Sequence, residues 1–344
     1  MSMNKQPSPP ITGDDVARRA GVSRTTVSYV LNGTQNTHVS EETRAKVWRA
    51  VRELSYHPST TARALSKGYS EEICVVSGLG LTPFFFDILV SVQQQAISYG
   101  YTPVLYLSQG MSEQERHITN RGLFARRPVG IISDPSHFTP AEIEQAHAMG
   151  VKQILFIAIE PEQRQDGYVI VLPTHTAGYL AARHLIERGH RHLALIEPDD
   201  KVQAGAFAQR REGMLTALAE VPDSQLDILP MHLDSTCAGE VVETYFKDAN
   251  RPTGVYAFND EYALALLAAL MRRGIGVPHD VALVGTDDLP MSAYVWPTLT
   301  TIRFDGSDIG KRLVDILDTL HKGLSLLEEL ARPLVPELIV RESS

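Results

Sequence analysis

The stretch Asp15-Val-Ala-Arg-Arg-Ala-Gly-Val-Ser-Arg-Thr-Thr-Val-Ser-Tyr-Val-Leu31 admits few folds. Val16, Ala17 and Ala20 recur at helical spacing, and Gly21 then ends the helix, because glycine reaches left-handed dihedrals at low cost. Ser23 is suited to cap the next helix, since its hydroxyl can accept from an orphan backbone N–H. Val27, Val30 and Leu31 form the apolar stripe of that second helix. Two short helices joined by a glycine turn are a helix-turn-helix unit, whose second helix can lie in a DNA major groove. The residues left facing outward are Arg24, Thr25, Thr26, Ser28 and Tyr29, and none is acidic.

Charge separates this head from the rest of the chain. The whole chain carries a net −9 over 344 residues, which taken globally argues against nucleic acid. Residues 1–68 nevertheless hold ten Lys/Arg against five Asp/Glu, a net of +5, which leaves −14 on the remainder. A basic head on an acidic body describes a polyanion-binding module joined to something that avoids polyanions. At this length a single core is not expected. The two cysteines, Cys74 and Cys237, are far apart and read as reduced thiols. Residues 1–10 are rich in Pro and Ser and read as a disordered tail without a secretory signal. No apolar run approaches the ~20 residues of a membrane span, so a cytoplasmic protein is expected.

Thr12 is placed to cap the first helix, with Asp14 and Asp15 in its first turn. A polar loop, Gly33–His38, leads to a third helix capped by Ser40, whose buried face reads as Ala45, Val47, Trp48, Val51 and Leu54. Pro58–Leu65 is a short, Ser/Thr-rich segment with little apolar face, expected to be marginal as a helix on its own. From Glu72 onward, compact apolar runs alternate with amphipathic stretches. They predict parallel strands near Ile73–Ser77, Tyr101–Leu107, Val129–Ser133, Gln153–Ile159, Val169–Leu172, His192–Ile196, Leu226–Met231, Gly254–Phe258 and Val281–Gly285, and the end of the chain, Asp308–His321 then Leu334–Arg341, reads as a helix and a last strand. That is too many for one comfortable sheet. Two sheets flanking a cleft are expected, with ligands at the carboxyl ends of the strands.

The head resembles the signature of the lactose-repressor (LacI/GalR) family of bacterial transcription regulators. The matching segments are Asp15-Val-Ala-Arg-Arg-Ala-Gly-Val-Ser, Thr26-Val-Ser-Tyr-Val-Leu-Asn-Gly, Val39-Ser-Glu-Glu-Thr-Arg, and Leu54-Ser-Tyr-His-Pro with Ala62-Arg-Ala-Leu65. Weaker matches follow in order along the body: Leu185-Ile-Glu-Arg-Gly-His190, Arg210 with Gly213, Phe258-Asn-Asp260, Gly285-Thr-Asp-Asp288 and Pro297-Thr-Leu-Thr-Thr-Ile302. The resemblance implies an α/β protein with an N-terminal all-α helix-turn-helix head and a two-subdomain periplasmic-binding-protein-like body built on parallel sheets. It implies a disordered tail over 1–10, a head over 11–57, a hinge helix and linker over 58–70, and an effector-binding and dimerisation domain over 71–344. Within that domain the expected subdomains are about 71–172 plus 303–325, and 173–302 plus 326–344.

The resemblance further implies that Arg24, Thr25 and Tyr29 read bases and that the hinge folds on operator DNA, with Leu65 wedged into the minor groove. Such a wedge kinks the duplex. Thr12, Thr26, Ser28, Ala62 and Arg63 complete the expected DNA-facing set, and Lys67 joins Arg63 as an expected phosphate contact. A plain solvated surface is the competing reading for these residues. Arg210 and Asp287 match positions that hold a ligand's polar groups, expected on opposite cleft walls; a structural ion pair or cap is the alternative. Asn259 is read as a ligand contact or a helix cap, and Phe84 and Phe85, in the loop after the first body strand, as stacking groups or core. Three departures stand out: Ser59 where the family usually has Asn, a longer Gly33–His38 loop, and Leu172-Pro173 where many members place Asp-Asn.

These observations lead to a ligand-responsive DNA-binding regulator, a repressor. Its partners are a pseudo-palindromic operator, a second copy of itself and a small-molecule effector, a sugar or sugar derivative. No cofactor is called for. His175, His184, His190 and His192 match no compact metal-ligand spacing, and Gly78-Leu-Gly80 lacks the third glycine of a dinucleotide loop. No catalytic constellation is visible, so an enzyme is not expected. The rival reading is a small-molecule-binding protein or enzyme with a vestigial DNA-binding head.

Overall fold

The computed structural model describes residues 11–31, 39–56, 60–78, 82–159 and 167–344. The expected tail at 1–10, the loop Gly33–His38, Pro58 and Ser59 at the start of the hinge, and Gly80 lie outside the described residues. Two compact units divide at Ser70 and Glu71.

The first unit holds α1 (Gly13–Ala20), α2 (Arg24–Leu31), α3 (Glu41–Glu53) and α4 (Thr60–Lys67). Thr12 closes a capping box with Asp15, and Gly21 ends α1 in the left-handed region at φ 69°. Val16, Ala17, Val27, Val30, Val47 and Ala50 form its core. The expected face of α3 is rotated. Ala45 is exposed and Trp48 is 44 % exposed, whereas Val47 and Ala50 are buried with Val51 and Leu54 packed beside them. The i, i+3, i+4, i+7 stripe begins at Val47, so residues 45 and 48 fall on its flank.

The second unit carries two sheets. The first contains β1 (Ser70–Ser77), β2 (Thr102–Leu107), β3 (Pro128–Ser133), β4 (Ile154–Ala158) and β5 (Tyr168–Val171), in the order β2-β1-β3-β4-β5. α5 (Pro83–Ser98), α6 (Glu113–Ala125) and α7 (Pro140–Ala148) are its intervening helices. The second sheet contains β6 (His192–Pro198), β7 (Gln225–Met231), β8 (Gly254–Tyr256), β9 (Ala282–Thr286), β10 (Thr300–Arg303) and β11 (Glu337–Ile339), in the order β11-β10-β9-β8-β6-β7. With it come α8 (Thr174–Glu187), α9 (Ala204–Leu218), α10 (Ser235–Tyr245) and α11 (Asp260–Arg272); α12 (Gly306–His321) and the short α13 (Glu328–Ala331) lie between β10 and β11 in the chain.

The fully buried strands are near-continuous apolar runs, as parallel sheets covered on both faces require. β10 is additional to the sequence reading and runs parallel to β9, while the last strand read at the chain's end is β11, which pairs antiparallel with β10. α12 returns to the first sheet, packing on α5 and β3. A methyl on Gly130 of β3 would lie 2.2 Å from Leu317 of α12, so glycine permits this approach. One core cluster therefore runs from Ile73 and Ile88 through Leu313 and Leu317 to Leu185, Leu195 and Tyr256.

Candidate functional site

In the first unit, α2 presents the face read from the sequence. Ser23 Oγ accepts from Thr26 N at 3.1 Å and lies 2.8 Å from Thr26 Oγ1. Thr25 and Ser28 are exposed, Tyr29 is 40 % exposed, and Thr26 is half-buried because its hydroxyl joins the cap. Arg24 pairs with Asp14 at 3.2 Å, with both side chains largely in solvent, so the pair holds its guanidinium only weakly. Thr12 is exposed, and its hydroxyl donates to Asp15 at 2.7 Å. This bonding keeps the Asp15 carboxyl below its usual range. On α4, Leu65 is 86 % exposed, Arg63 half-buried and Lys67 exposed. The side chain of Ala62 lies outside the described residues.

In the second unit, a cavity of about 650 Å³ opens where the carboxyl ends of both sheets converge. Phe84, Phe85, Arg210, Asn259 and Asp287 all line it. Phe84 and Phe85 stand in the first turn of α5 rather than in a loop, because Thr82 caps that helix and Pro83 occupies its first position. The Phe84 and Phe304 rings meet at 5.7 Å between centroids. Much of the remaining wall is apolar, with Val75, Ile88, Ile132, Ile157, Leu172 and Phe258 prominent.

Arg210 is 5 % exposed on α9. Its Nη1 donates to the Phe258 carbonyl, and its guanidinium carbon lies 4.4 Å from the centre of the Phe258 ring. Asp287 follows β9 at φ 100°, a left-handed conformation in which Asp and Asn are among the few tolerated side chains. Burial pushes its carboxyl up to about 7, against the pull of Arg210 and with Asp260, Glu261 and Asp87 adding to the rise. Arg210 and Asp287 do not face each other from opposite walls as expected. Both belong to the six-stranded side, since α9 packs on β6 and Asp287 ends β9.

The loop carrying Asp287 is pinned twice. Asp260, fully buried at the start of α11, accepts from Leu289 N at 2.8 Å and from Ser292 Oγ and Thr301 Oγ1 at 2.6 Å. Asp288 accepts from Arg341 Nη2 at 2.5 Å and lies 3.6 Å from Arg303 Nη1. Asn259 caps α11 by accepting from Tyr262 N, as the cap reading has it, and stands at the cavity wall.

Sequence reasoning missed Ser133, Asp134, Thr174 and Gln203, which also line the cavity. Ser133 Oγ, Thr174 Oγ1, Gln203 Oε1 and Arg210 Nε are buried polar atoms with no hydrogen-bond partner among the described residues. Orphan polar atoms are rare in folded proteins, and these four belong to residues that line one cavity. Ser133 and Asp134 were traceable as the residues closing a strand's carboxyl end; Thr174 and Gln203 carried no local signal. Among the described residues no cluster of three or more His, Cys, Asp or Glu is placed to hold a metal. No helix among them is long and apolar enough to cross a membrane.

Residues 12–59 match the family described as bacterial regulatory proteins, lacI family, and residues 182–344 match a periplasmic binding protein-like domain. The HTH-type transcriptional repressor PurR of Aliivibrio fischeri strain MJ11 is 32 % identical over 337 residues, covering 96 % of this chain and 97 % of that one. The lac repressor dimer bound to operator and the anti-inducer ONPF superposes with a TM-score of 0.80 at 25 % identity, covering 97 % of this chain and 99 % of that one. The transcriptional regulator CelR in complex with cellobiose superposes with a TM-score of 0.65 at 26 % identity, covering 97 % and 100 %.

Proposed function

The chain belongs to the lacI family of bacterial regulatory proteins, and on that premise we propose that it is a transcriptional repressor whose operator affinity is set by a small molecule in the body's cavity. The observation that carries this is the non-acidic outward face of α2 on a capped helix-turn-helix, in a chain whose second unit holds a ligand-sized cavity. Arg24, Thr25, Ser28 and Tyr29 read the major groove, with Thr12, Thr26 and Arg63 beside them. Ala62 and Leu65 meet the minor groove through α4. Arg210, Asn259, Asp287, Phe84 and Phe85 hold the effector. The body divides into subdomains at about 71–172 plus 303–325, and 173–302 plus 326–344. Effector binding biases their arrangement, and with it the DNA-competent state.

Two copies act together on a pseudo-palindrome, a reading supported by the operator-bound lac repressor dimer. The cellobiose complex of CelR supports a sugar or sugar derivative as effector. The chain acts in the cytoplasm by binding rather than catalysis, in keeping with the repressor roles of its relatives. A gel-shift with DNA flanking its own gene tests the reading. Specific retardation that weakens as salt rises is expected, and no retention at low salt, with or without candidate ligands, overturns it.

A further inference from the structure

The loop between β3 and α7 supplies Ser133, Asp134, Pro135 and Ser136 to the cavity wall. The next residue, His137, lies behind that wall and is 4 % exposed. Its ring is engaged at both nitrogens: Nδ1 lies 3.1 Å from Ser108 Oγ, and Nε2 lies 3.1 Å from Asn120 Oδ1. Asn120, buried on α6, donates from Nδ2 to Glu142 Oε1 of α7 at 3.0 Å. A carboxylate only accepts, so the Asn120 amide nitrogen faces Glu142 and its oxygen faces the ring, which fixes the ring proton on Nε2. Nδ1 is then left to accept from the Ser108 hydroxyl. That hydroxyl has a second acceptor, the Ser77 carbonyl at 3.2 Å, and Ser77 also lines the cavity. We propose that His137 is the positioning residue of this cavity: it ties the loop of residues 133–136 to the carboxyl ends of β1 and β2, and so sets ligand affinity without touching the ligand.

One imidazole thereby joins three strand ends, since Ser77 closes β1, Ser108 follows β2 and Ser133 closes β3. The chain from Ser108 through His137 and Asn120 to Glu142 runs in one donor-to-acceptor direction, and a buried network with every member satisfied is rigid. The Ser108 hydroxyl also gives the network a second state. When Nδ1 gains a proton it donates to Ser108 Oγ, and the hydroxyl proton swings to the Ser77 carbonyl. The charged groups facing the ring are Asp134 on its own loop and Glu142 on α7, which favour that proton, and Arg116 on α6, which opposes it. His117 on α6 lies 3.4 Å from Glu142 Oε1 and shares that carboxylate. Burial opposes the proton most and holds the ring's titration below 6.5. The wall is therefore backed by a neutral ring at pH 7, and acid places a charge behind it that loosens its hold.

That role rests on the cavity holding a ligand, and the measurements separate the two. Long-range proton–nitrogen NMR of the isotope-labelled full chain, with His137→Gln assigning the signal, should show Nε2 protonated and Nδ1 bare at pH 7. Amide hydrogen exchange over residues 133–138, corrected for its intrinsic pH dependence, should rise roughly tenfold as the ring gains its proton. Glutamine keeps the donor to Asn120, asparagine keeps the acceptor for Ser108, and neither titrates. His137→Gln and His137→Asn should therefore each hold the loop better than His137→Leu and lose the pH step. Calorimetry with glucose, ribose and cellobiose reads affinity: a sugar that binds should bind about tenfold more weakly to His137→Leu, with part of the loss recovered in the two conservative variants. A charged or Nδ1-protonated ring at pH 7, a pH step that persists in both conservative variants, or a sugar bound equally by the parent and His137→Leu overturns the proposal. If none of the three sugars binds while exchange shows the step, the hold on the wall is supported and the sugar reading of the effector falls. A sugar whose binding depends on His137 but leaves operator retention unchanged in a gel-shift supports the positioning role and removes effector control.

Discussion

Gly178 of α8 and Gly213 of α9 are reciprocal contacts of one helix crossing. A methyl on Gly178 would come within 2.0 Å of the Arg210 carbonyl oxygen, and one on Gly213 within 2.0 Å of the His175 carbonyl oxygen. The two helices therefore meet main chain to main chain, and the turn bearing Arg210 is seated by that meeting. Gly178→Ala should force the helices apart, costing about 1–3 kcal/mol in urea unfolding, and should shift Arg210 enough to weaken ligand binding. Gly213→Ala should cost a similar amount. Unchanged unfolding midpoints in both variants would show that the crossing tolerates the extra carbon.

Asp287 gives the body a pH signature. Its folded value of about 7 stands above the ordinary 3.8, so the native state holds the proton more tightly than the unfolded chain. The stability it contributes is complete below pH 3.8 and is lost as pH rises through about 7. His137, His184 and His190 oppose it: burial lowers each below 6.5, so their contribution is intact above 6.5 and lost as pH falls. Asp287→Asn keeps a side chain suited to the left-handed backbone and removes the titration. Relative to the parent, the variant should gain stability on going from about pH 5 to about pH 8. Stability curves that run parallel across this range would contradict the assignment.

The two thiols should be distinguishable by reagent. Cys74 is fully buried in β1, and burial pushes its thiol up to about 12. Cys237 is half-buried on α10, where its sulfur accepts from His232 N at 3.2 Å. A disulfide reagent at neutral pH should modify Cys237 in the native protein and reach Cys74 only on unfolding. Rapid release of two equivalents from native protein would show that β1 opens readily.

In the head, exposure separates binding from stability. Leu65 is 86 % exposed, so Leu65→Ala removes almost no buried surface. It should leave thermal unfolding unchanged and lower operator affinity by roughly tenfold if the side chain wedges into the duplex. Tyr29→Ala should flatten the preference among operator variants. Fluorescence anisotropy with a panel of operators checks both, and wild-type affinity and selectivity in the two variants would remove them from the DNA-facing set.

Local periodicity made much of this molecule legible. The Gly21 turn, the Ser23 cap, β1 to β9 and the placing of Phe84, Phe85, Arg210, Asn259 and Asp287 on the wall of one cavity followed from spacing and resemblance, because caps and buried strands are written in neighbouring residues. The shared wall of Arg210 and Asp287 was not legible, since it depends on α9 packing against β6 and not on anything within either segment. Trp48 was misplaced because an apolar side chain beside a stripe looks like part of it. Thr174 and Gln203 were invisible for a related reason: an orphan polar atom exists only once its neighbours are known.

The left-handed backbone at Asp287 limits how this site can be retuned. Few side chains hold φ 100° without strain, so exchanges there are confined to Asp, Asn and Gly. Phe84 and Phe85 sit in the first turn of α5, beside the other sheet, in ordinary helical backbone that sets no such limit. A designer seeking a regulator with new ligand selectivity would keep the six-stranded wall fixed and diversify the first turn of α5.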